Sequence, residues 1–141
     1  MKQAKNLQLI LKIAGIYNLI WGAWVVLFPL SFFNLVGMQP PIHITIWQGM
    51  GMVIGLYGLG YYIASYDYIR HWPIVAIGLL GKIFGPIGYF YNLYIDNIDP
   101  AFGYALITND FIWWIPFGMM VYQSYVQGFP ISGNKSLLKR K

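Results

Sequence analysis

The chain has 141 residues, of which 58% are hydrophobic and 9% are charged, and its formal net charge is +5. Soluble domains carry roughly 25% charged residues because their surface faces water, so this composition predicts a single domain largely covered by lipid. Cysteine and glutamate are absent, which excludes disulfide scaffolds and cysteine nucleophiles, and four Asp and two His are too few for a dedicated metal site.

Four apolar segments can each form a transmembrane helix, which needs about 20 residues. They span residues 7–29, 44–66, 73–95 and 102–126. Because the apolar runs are continuous rather than alternating, helices are favoured over a β-barrel. The predicted fold is therefore all-α: a polytopic, four-transmembrane-helix bundle that forms one domain over residues 1–141.

The basic residues indicate how these helices are oriented. Eight of the nine fall on one side of the membrane if the chain crosses four times: Lys2, Lys5, Lys12, Arg70, Lys135, Lys139, Arg140 and Lys141. The positive-inside rule therefore predicts that both termini and the loop at 67–73 are cytoplasmic. The basic tail at 131–141 is expected to lie against anionic lipid headgroups, which explains the net charge without nucleic acid. The apolar segment 31–41 is expected to lie in the opposite interface.

The ninth basic residue, Lys82, lies about 14 Å from the cytoplasmic end of its helix, and Asp110 lies about 18 Å from the same face. Asn18 reaches a similar depth, about 16 Å. An unpaired charge at this depth costs about 2.5–3.5 kcal/mol even on a lenient scale, so both charges should turn inward. We expect Lys82 and Asp110 to form an ion pair, directly or through water. Such a pair can serve a ligand or can fix the helix register.

Small and aromatic residues accompany these polar groups on each helix. The glycines of the third segment, at 78, 81, 85 and 88, and those of the second, at 51 and 55, predict close helix packing. Pro86 is expected to bend its helix and to free a backbone carbonyl. The large residues beside Asp110 could stack on a flat ligand or simply pack, and Asn18 and Gln48 could bond between helices. The predicted polar site comprises Lys82, Asp110, Asn18, Gln48, Asn109, Trp113, Trp114 and Phe117.

The sequence contains no phosphate-binding loop, zinc-protease motif, nucleophile elbow or dinucleotide fingerprint. No catalytic residue and no metal ligand is therefore predicted. Whether the protein is an enzyme stays open, and the sequence favours the answer that it is not.

Four stretches carry a family resemblance: Ile46 to Gly55, Arg70 to Val75, Gly78 to Lys82 and Asn109 to Trp114. With them the chain resembles the DoxX-like group of small four-helix proteins of bacterial inner membranes. The resemblance implies a multi-pass protein of that membrane with an accessory or quinone-associated role. It carries no functional residue over.

Two functions are expected. The first is a non-enzymatic protein that binds a quinone or lipid-like molecule, or that serves as an accessory subunit of a membrane complex. The second is a small proton-coupled transporter that works as a dimer, with Asp110 as the protonation site and Lys82 adjusting its pKa. The cofactor is unknown beyond a quinone or lipid, and the expected partners are the bilayer, a membrane protein or a second copy.

Overall fold

A computed structural model describes residues 2–129, and in this part of the chain every regular element is helical. The elements are α1 (Lys2–Leu27), α2 (Ser31–Val36), α3 (Ile44–Ala64), α4 (Trp72–Tyr94), a 3₁₀ turn (Pro100–Phe102), α5 (Gly103–Leu106), a π-helical segment (Ile107–Phe111) and α6 (Ile112–Val126). The fourth predicted helix thus exists as a continuous helical run that a π turn divides. The predicted basic tail lies outside the described residues.

Helices α1 and α3 form the tightest pair of the fold, because glycines let their backbones touch. A Cβ atom built on Gly22 would lie 2.5 Å from the carbonyl oxygen of Gly51, and one built on Gly15 would lie 2.7 Å from the amide nitrogen of Tyr62. Gly58 gives a third close approach, since a Cβ built on it would lie 2.7 Å from the carbonyl oxygen of Gly15. The packing role predicted for the glycines of the second segment therefore holds at Gly51.

Helices α4 and α6 pack against each other and share an interhelical hydrogen bond. Pro86 has no N–H, so the carbonyl of Lys82, four residues earlier, loses its helical donor. The indole Nε1 of Trp114 on α6 donates to that oxygen at 2.8 Å. The carbonyl that the sequence predicted Pro86 to free is thus found, and a tryptophan of the neighbouring helix satisfies it.

Helix α2 covers one end of the molecule. Its Phe32 and Phe33 are buried and lie 5.5 and 5.1 Å, between ring centroids, from Trp47. Phe102 of the 3₁₀ turn lies 6.1 Å from the same indole. This aromatic cluster joins α2, α3 and the turn after α4. The apolar segment predicted to lie at an interface thus begins with a short helix that packs on the core, and its position relative to a membrane stays a prediction.

The opposite end brings the start of α1 to the loop after α3. Gln8 Nε2 donates to the carbonyl of Tyr66 at 3.0 Å, and the Tyr68 hydroxyl donates to Gln123 of α6. The ammonium group of Lys12 lies 5.3 Å from the ring centroid of Tyr62. Among the described residues, the basic side chains other than Lys82 therefore belong to segments that meet at this end.

Two helical stretches, Gln3–Leu27 and Trp72–Tyr94, are long and apolar enough to cross a membrane by length and composition. Glycine and tyrosine lower the mean hydropathy of α3, and the π turn leaves only 15 residues in α6. These features explain why the other two predicted spans do not stand out by the same measure.

Candidate functional site

A cavity of about 540 Å³ lies between α3, α4 and the helical run that follows the 3₁₀ turn. Along α4 its wall extends from Gly78 to Asn92, a length of about 21 Å at 1.5 Å per residue. Its wall is mostly apolar, and its aromatic members are Trp21, Trp47, Tyr57, Tyr61, Tyr89 and Phe102. The cavity is therefore elongated along the helix axes.

The glycine stripe of α4 forms one side of this cavity. Nothing lies within 4 Å of the position that a Cβ would take at Gly81 or Gly88, and at Gly85 the nearest atom is Oδ2 of Asp110, 3.8 Å away. Only Gly78 is in close contact, with the side chain of Tyr61. The packing role predicted for this stripe is therefore wrong at Gly81, Gly85 and Gly88, since these glycines make room beside α4 rather than contact with a helix.

The ammonium group of Lys82 lies in the cavity wall, where protein groups stabilise its charge. Its side chain is 4% exposed and its Nζ donates to the backbone carbonyl of Asn109. The same nitrogen lies 6.0 Å from the ring centroid of Tyr61 and 5.9 Å from that of Phe117. Aromatic faces at this range attract a cation, so two rings and one carbonyl stabilise the buried charge.

Asp110 lies on the π-helical segment, where the N–H of Ile112 bonds to the carbonyl of Ile107, five residues earlier. π turns are rare and occur frequently at functional sites. This turn aims the neighbouring carbonyls away from the regular helical pattern: that of Asn109 accepts from Lys82, and that of Thr108 accepts from Trp113 Nε1 at 2.9 Å. The run of short polar side chains from Thr108 to Asp110 competes for backbone bonds, which favours such an irregularity.

The predicted direct Lys82–Asp110 ion pair does not form in this structure. Both side chains line the cavity and both are buried, yet within residues 2–129 the Asp110 carboxylate makes no ion pair within 4 Å and no hydrogen bond. The π turn explains the difference, because it presents the Asn109 carbonyl to the ammonium and leaves the carboxylate beside Gly85. A pair joined through an intervening molecule is the form that this geometry accommodates.

Three further buried polar atoms at the cavity lack a partner within the described part of the chain: Oδ1 of Asn18, Oδ1 of Asn109 and Nε1 of Trp47. Asn18 is 3% exposed. Buried polar groups are nearly always hydrogen-bonded, so unpaired ones call for an explanation. With the Asp110 carboxylate, they form a set of groups that a bound polar molecule could satisfy.

The other predicted site residues lie away from the cavity. Gln48 donates to the carbonyl of Val26 at 2.9 Å and so bonds α3 to α1. Trp113 packs against Tyr17, with 5.9 Å between the ring centroids. The indole N–H of Trp114 donates to the backbone carbonyl of Lys82 on α4. Phe117 is fully buried and lies behind the ammonium of Lys82. None of Trp113, Trp114 and Phe117 lines this cavity: Trp113 and Phe117 are buried in the core, whereas Trp114 is 37% exposed.

The aromatic wall of the cavity instead comes from residues that the sequence did not single out. Tyr57 and Tyr61 are four residues apart and share a face of α3, and Tyr89 follows the glycine stripe of α4. The Tyr89 hydroxyl donates to the carbonyl of Pro100 at 2.9 Å and anchors the 3₁₀ turn at the cavity end. Tyrosines one turn apart on a glycine-rich helix were the available signal for this wall.

Comparison with protein-family models, with curated proteins and with solved structures finds no match to this chain.

Proposed function

We propose that this chain is a small integral membrane protein with four transmembrane helices, and that it binds a quinone or lipid-like molecule in the cavity beside α4 without catalysing a reaction. The observation that carries the proposal is the cavity itself. It combines a long apolar wall with buried polar side chains that have no partner among residues 2–129, which is how sites for amphipathic small molecules are built.

The surface of the long helices supports the membrane assignment. Each carries large apolar side chains that point away from the protein, such as Ile20 at 66%, Leu56 at 61%, Phe84 at 62% and Ile115 at 77% exposure. Only 33% and 28% of the most apolar stretches of α1 and α4 are buried, whereas the core helix of a soluble protein is mostly buried. Lipid is the solvent that such a surface requires.

The lengths of the other two helical segments fit the same assignment. Helix α3 has 21 residues and measures about 31 Å. The segments from α5 to α6 have 4, 5 and 15 residues, follow one another without a break, and measure about 36 Å together. Each can cross a hydrocarbon core of about 30 Å. With the basic ends of the chain on the cytoplasmic side, the inner membrane of a bacterium is the proposed location.

A role as an accessory subunit accounts for the same apolar surface, and the two roles separate by experiment. The protein is extracted from native membranes in a mild detergent, and everything that copurifies is identified by mass spectrometry. We expect a small molecule in stoichiometric amount. A stoichiometric protein partner without such a molecule would instead make the chain a subunit and would return the buried polar groups to a structural role.

The unpartnered Asp110 carboxylate favours a second candidate, the proton-coupled transporter that works as a dimer. A carboxylate at this depth is a default candidate for a proton-binding group. This role requires that proteoliposomes containing the protein take up a substrate in a pH-dependent way, and that Asp110→Asn abolishes this uptake. Binding without any uptake would leave the first proposal as the function.

A further inference from the structure

The cavity has a polar part and an apolar part that lie in sequence along α4. Lys82, Asp110, Asn109 and Asn18 gather towards the end at Gly78, where the Tyr61 side chain closes the wall. Beyond Gly85 the wall is mainly aliphatic and aromatic and extends to Phe102. The amide of Asn92 also lines this part, but it is already bonded to the Gly88 carbonyl and to the Asn97 side chain. A molecule that fits this shape has a small polar head and an extended apolar body.

The charges of the wall balance and so restrict the charge of that head. Among residues 2–129, the cavity wall holds one cation, Lys82, and one anion, Asp110, and no other charged residue. An anionic head brought to Lys82 would also face Asp110, and a cationic head would face Lys82. A surplus charge in a medium of low polarity is strongly unfavourable, so an uncharged head is favoured.

The unpartnered atoms also show which hydrogen bonds the head must make. An ionised carboxylate can only accept, and Oδ1 of Asn18 and of Asn109 also accept. Three acceptors therefore line the polar part of the cavity, while the Lys82 ammonium has given one of its bonds to the Asn109 carbonyl. The unpartnered donor Trp47 Nε1 belongs to the other end, where its ring lies 6.1 Å from that of Phe102. A hydroxyl donates as well as accepts, but a ketone, an ether or an oxidised quinone only accepts and would leave these acceptors unpaired.

One side of the cavity faces outward between α3 and α4. Met50 and Val53 of α3 line it although they are 47% and 49% exposed, and Gly81 and Gly88 on the facing helix are exposed as well. In the proposed membrane this side meets lipid tails. A ligand can therefore enter sideways from the bilayer without crossing water.

Resting on the proposed function, we infer that the ligand is an uncharged amphiphile whose head carries a hydrogen-bond donor such as a hydroxyl, and that it enters from the bilayer between α3 and α4. The donor pairs with the acceptors at Asp110, Asn18 and Asn109. The apolar body lies along the glycines of α4. This inference specifies the head chemistry and the entry route, which the proposed function leaves open.

Four photoreactive probes with the same alkyl chain test the inference: an alcohol, its methyl ether, a carboxylate and an ammonium. Each is added to the full chain in phosphatidylcholine nanodiscs, whose lipid heads carry no donor, and crosslinks are mapped by peptide mass spectrometry. Labelling at Met50 and Val53 reports the cavity, and labelling at the outward Ile115 of α6 reports simple partitioning into lipid.

We expect the alcohol to label Met50 and Val53 at least about tenfold more than each other probe, since one hydrogen bond to a charged acceptor changes affinity by that order. Labelling of Ile115 should be equal for the four. Equal cavity labelling by the alcohol and the ether would overturn the donor requirement and leave the proposed function standing. If no probe labels the cavity above Ile115, the proposed function itself fails.

Discussion

Trp114 replaces the backbone donor that Pro86 removes from α4, and this exchange gives a quantitative test of the helix pairing. In a regular helix the Lys82 carbonyl accepts from the N–H of residue 86, which proline lacks. The Trp114 indole donates to it at 2.8 Å instead. Trp114→Phe keeps an aromatic ring but removes this N–H, so the carbonyl loses its donor.

The expected cost follows from two ranges. An unsatisfied buried polar group costs about 1–3 kcal/mol, and hydrogen bonds between membrane helices contribute on average about 0.6 and at most about 1.7 kcal/mol. We expect Trp114→Phe to lower the free energy of unfolding by about 1–2 kcal/mol. In a Pro86→Ala background residue 86 regains its N–H, so the substitution should lose only ring contacts. The difference between the backgrounds should be about 0.6–1.7 kcal/mol.

The assay is a double-mutant cycle with four proteins: wild type, each single variant and the double variant. Unfolding in mixed micelles by a denaturing detergent is followed by circular dichroism. The volume lost at Pro86 and the ring area lost at Trp114 are common to both arms and cancel, which isolates the hydrogen bond. An equal cost of Trp114→Phe in both backgrounds, within about 0.3 kcal/mol, would refute the exchange of donors.

Two further predictions concern the packing of α1 on α3 and the orientation of the chain. Gly22→Ala should lower the free energy of unfolding by about 1–3 kcal/mol, because its Cβ would lie 2.5 Å from the oxygen of Gly51. Gly55→Ala is the matched control, since its Cβ would meet nothing nearer than 3.9 Å, and an equal loss in both variants would contradict this packing. The chain has no cysteine, so Gln39→Cys and Tyr66→Cys each add a unique label site. In intact bacterial spheroplasts, a membrane-impermeant maleimide should label the first and spare the second; the reverse pattern would invert the proposed topology.

Depth along a helix could be read from the sequence, because the rise of 1.5 Å per residue fixes it. Counting residues was enough to bring Lys82, Asp110 and Asn18 to one level, and the structure places all three at one cavity. The freed carbonyl could likewise be predicted, since a proline always removes the same donor. These expectations depended only on regular helix geometry and on the missing N–H of proline.

The sequence did not reveal whether a given helix face packs against another helix or borders a cavity. Gly51 on α3 and Gly85 on α4 belong to stripes with the same spacing, yet Gly51 lies against Val25 and the Gly22 carbonyl whereas Gly85 borders a cavity. Periodicity places residues on one face but does not say which helix, if any, covers that face. The choice depends on the packing of the whole bundle.

The π turn was also beyond sequence reasoning, and it changed the chemistry of the site. An insertion of this kind rotates the residues that follow it relative to a regular helix. Trp113 and Phe117 consequently point into the core, and the Asn109 carbonyl takes the place expected of Asp110 at Lys82. The Asp110 carboxylate lies beside Gly85 instead, without the direct contact to Lys82 that was one of the two predicted forms of the pair.

The most direct test of the central claim asks whether filling the cavity prevents a small molecule from copurifying with the chain. Gly81→Leu adds a side chain on the cavity side of α4, and Gly118→Leu adds the same side chain on α6 away from the cavity; nothing lies within 4 Å of either Cβ position. Both variants should fold, because each replaces a helical glycine at an open position. Native mass spectrometry after gentle extraction should show the bound molecule in wild type and Gly118→Leu and its loss in Gly81→Leu. Equal retention in all three proteins would contradict the account, because the molecule would then bind elsewhere.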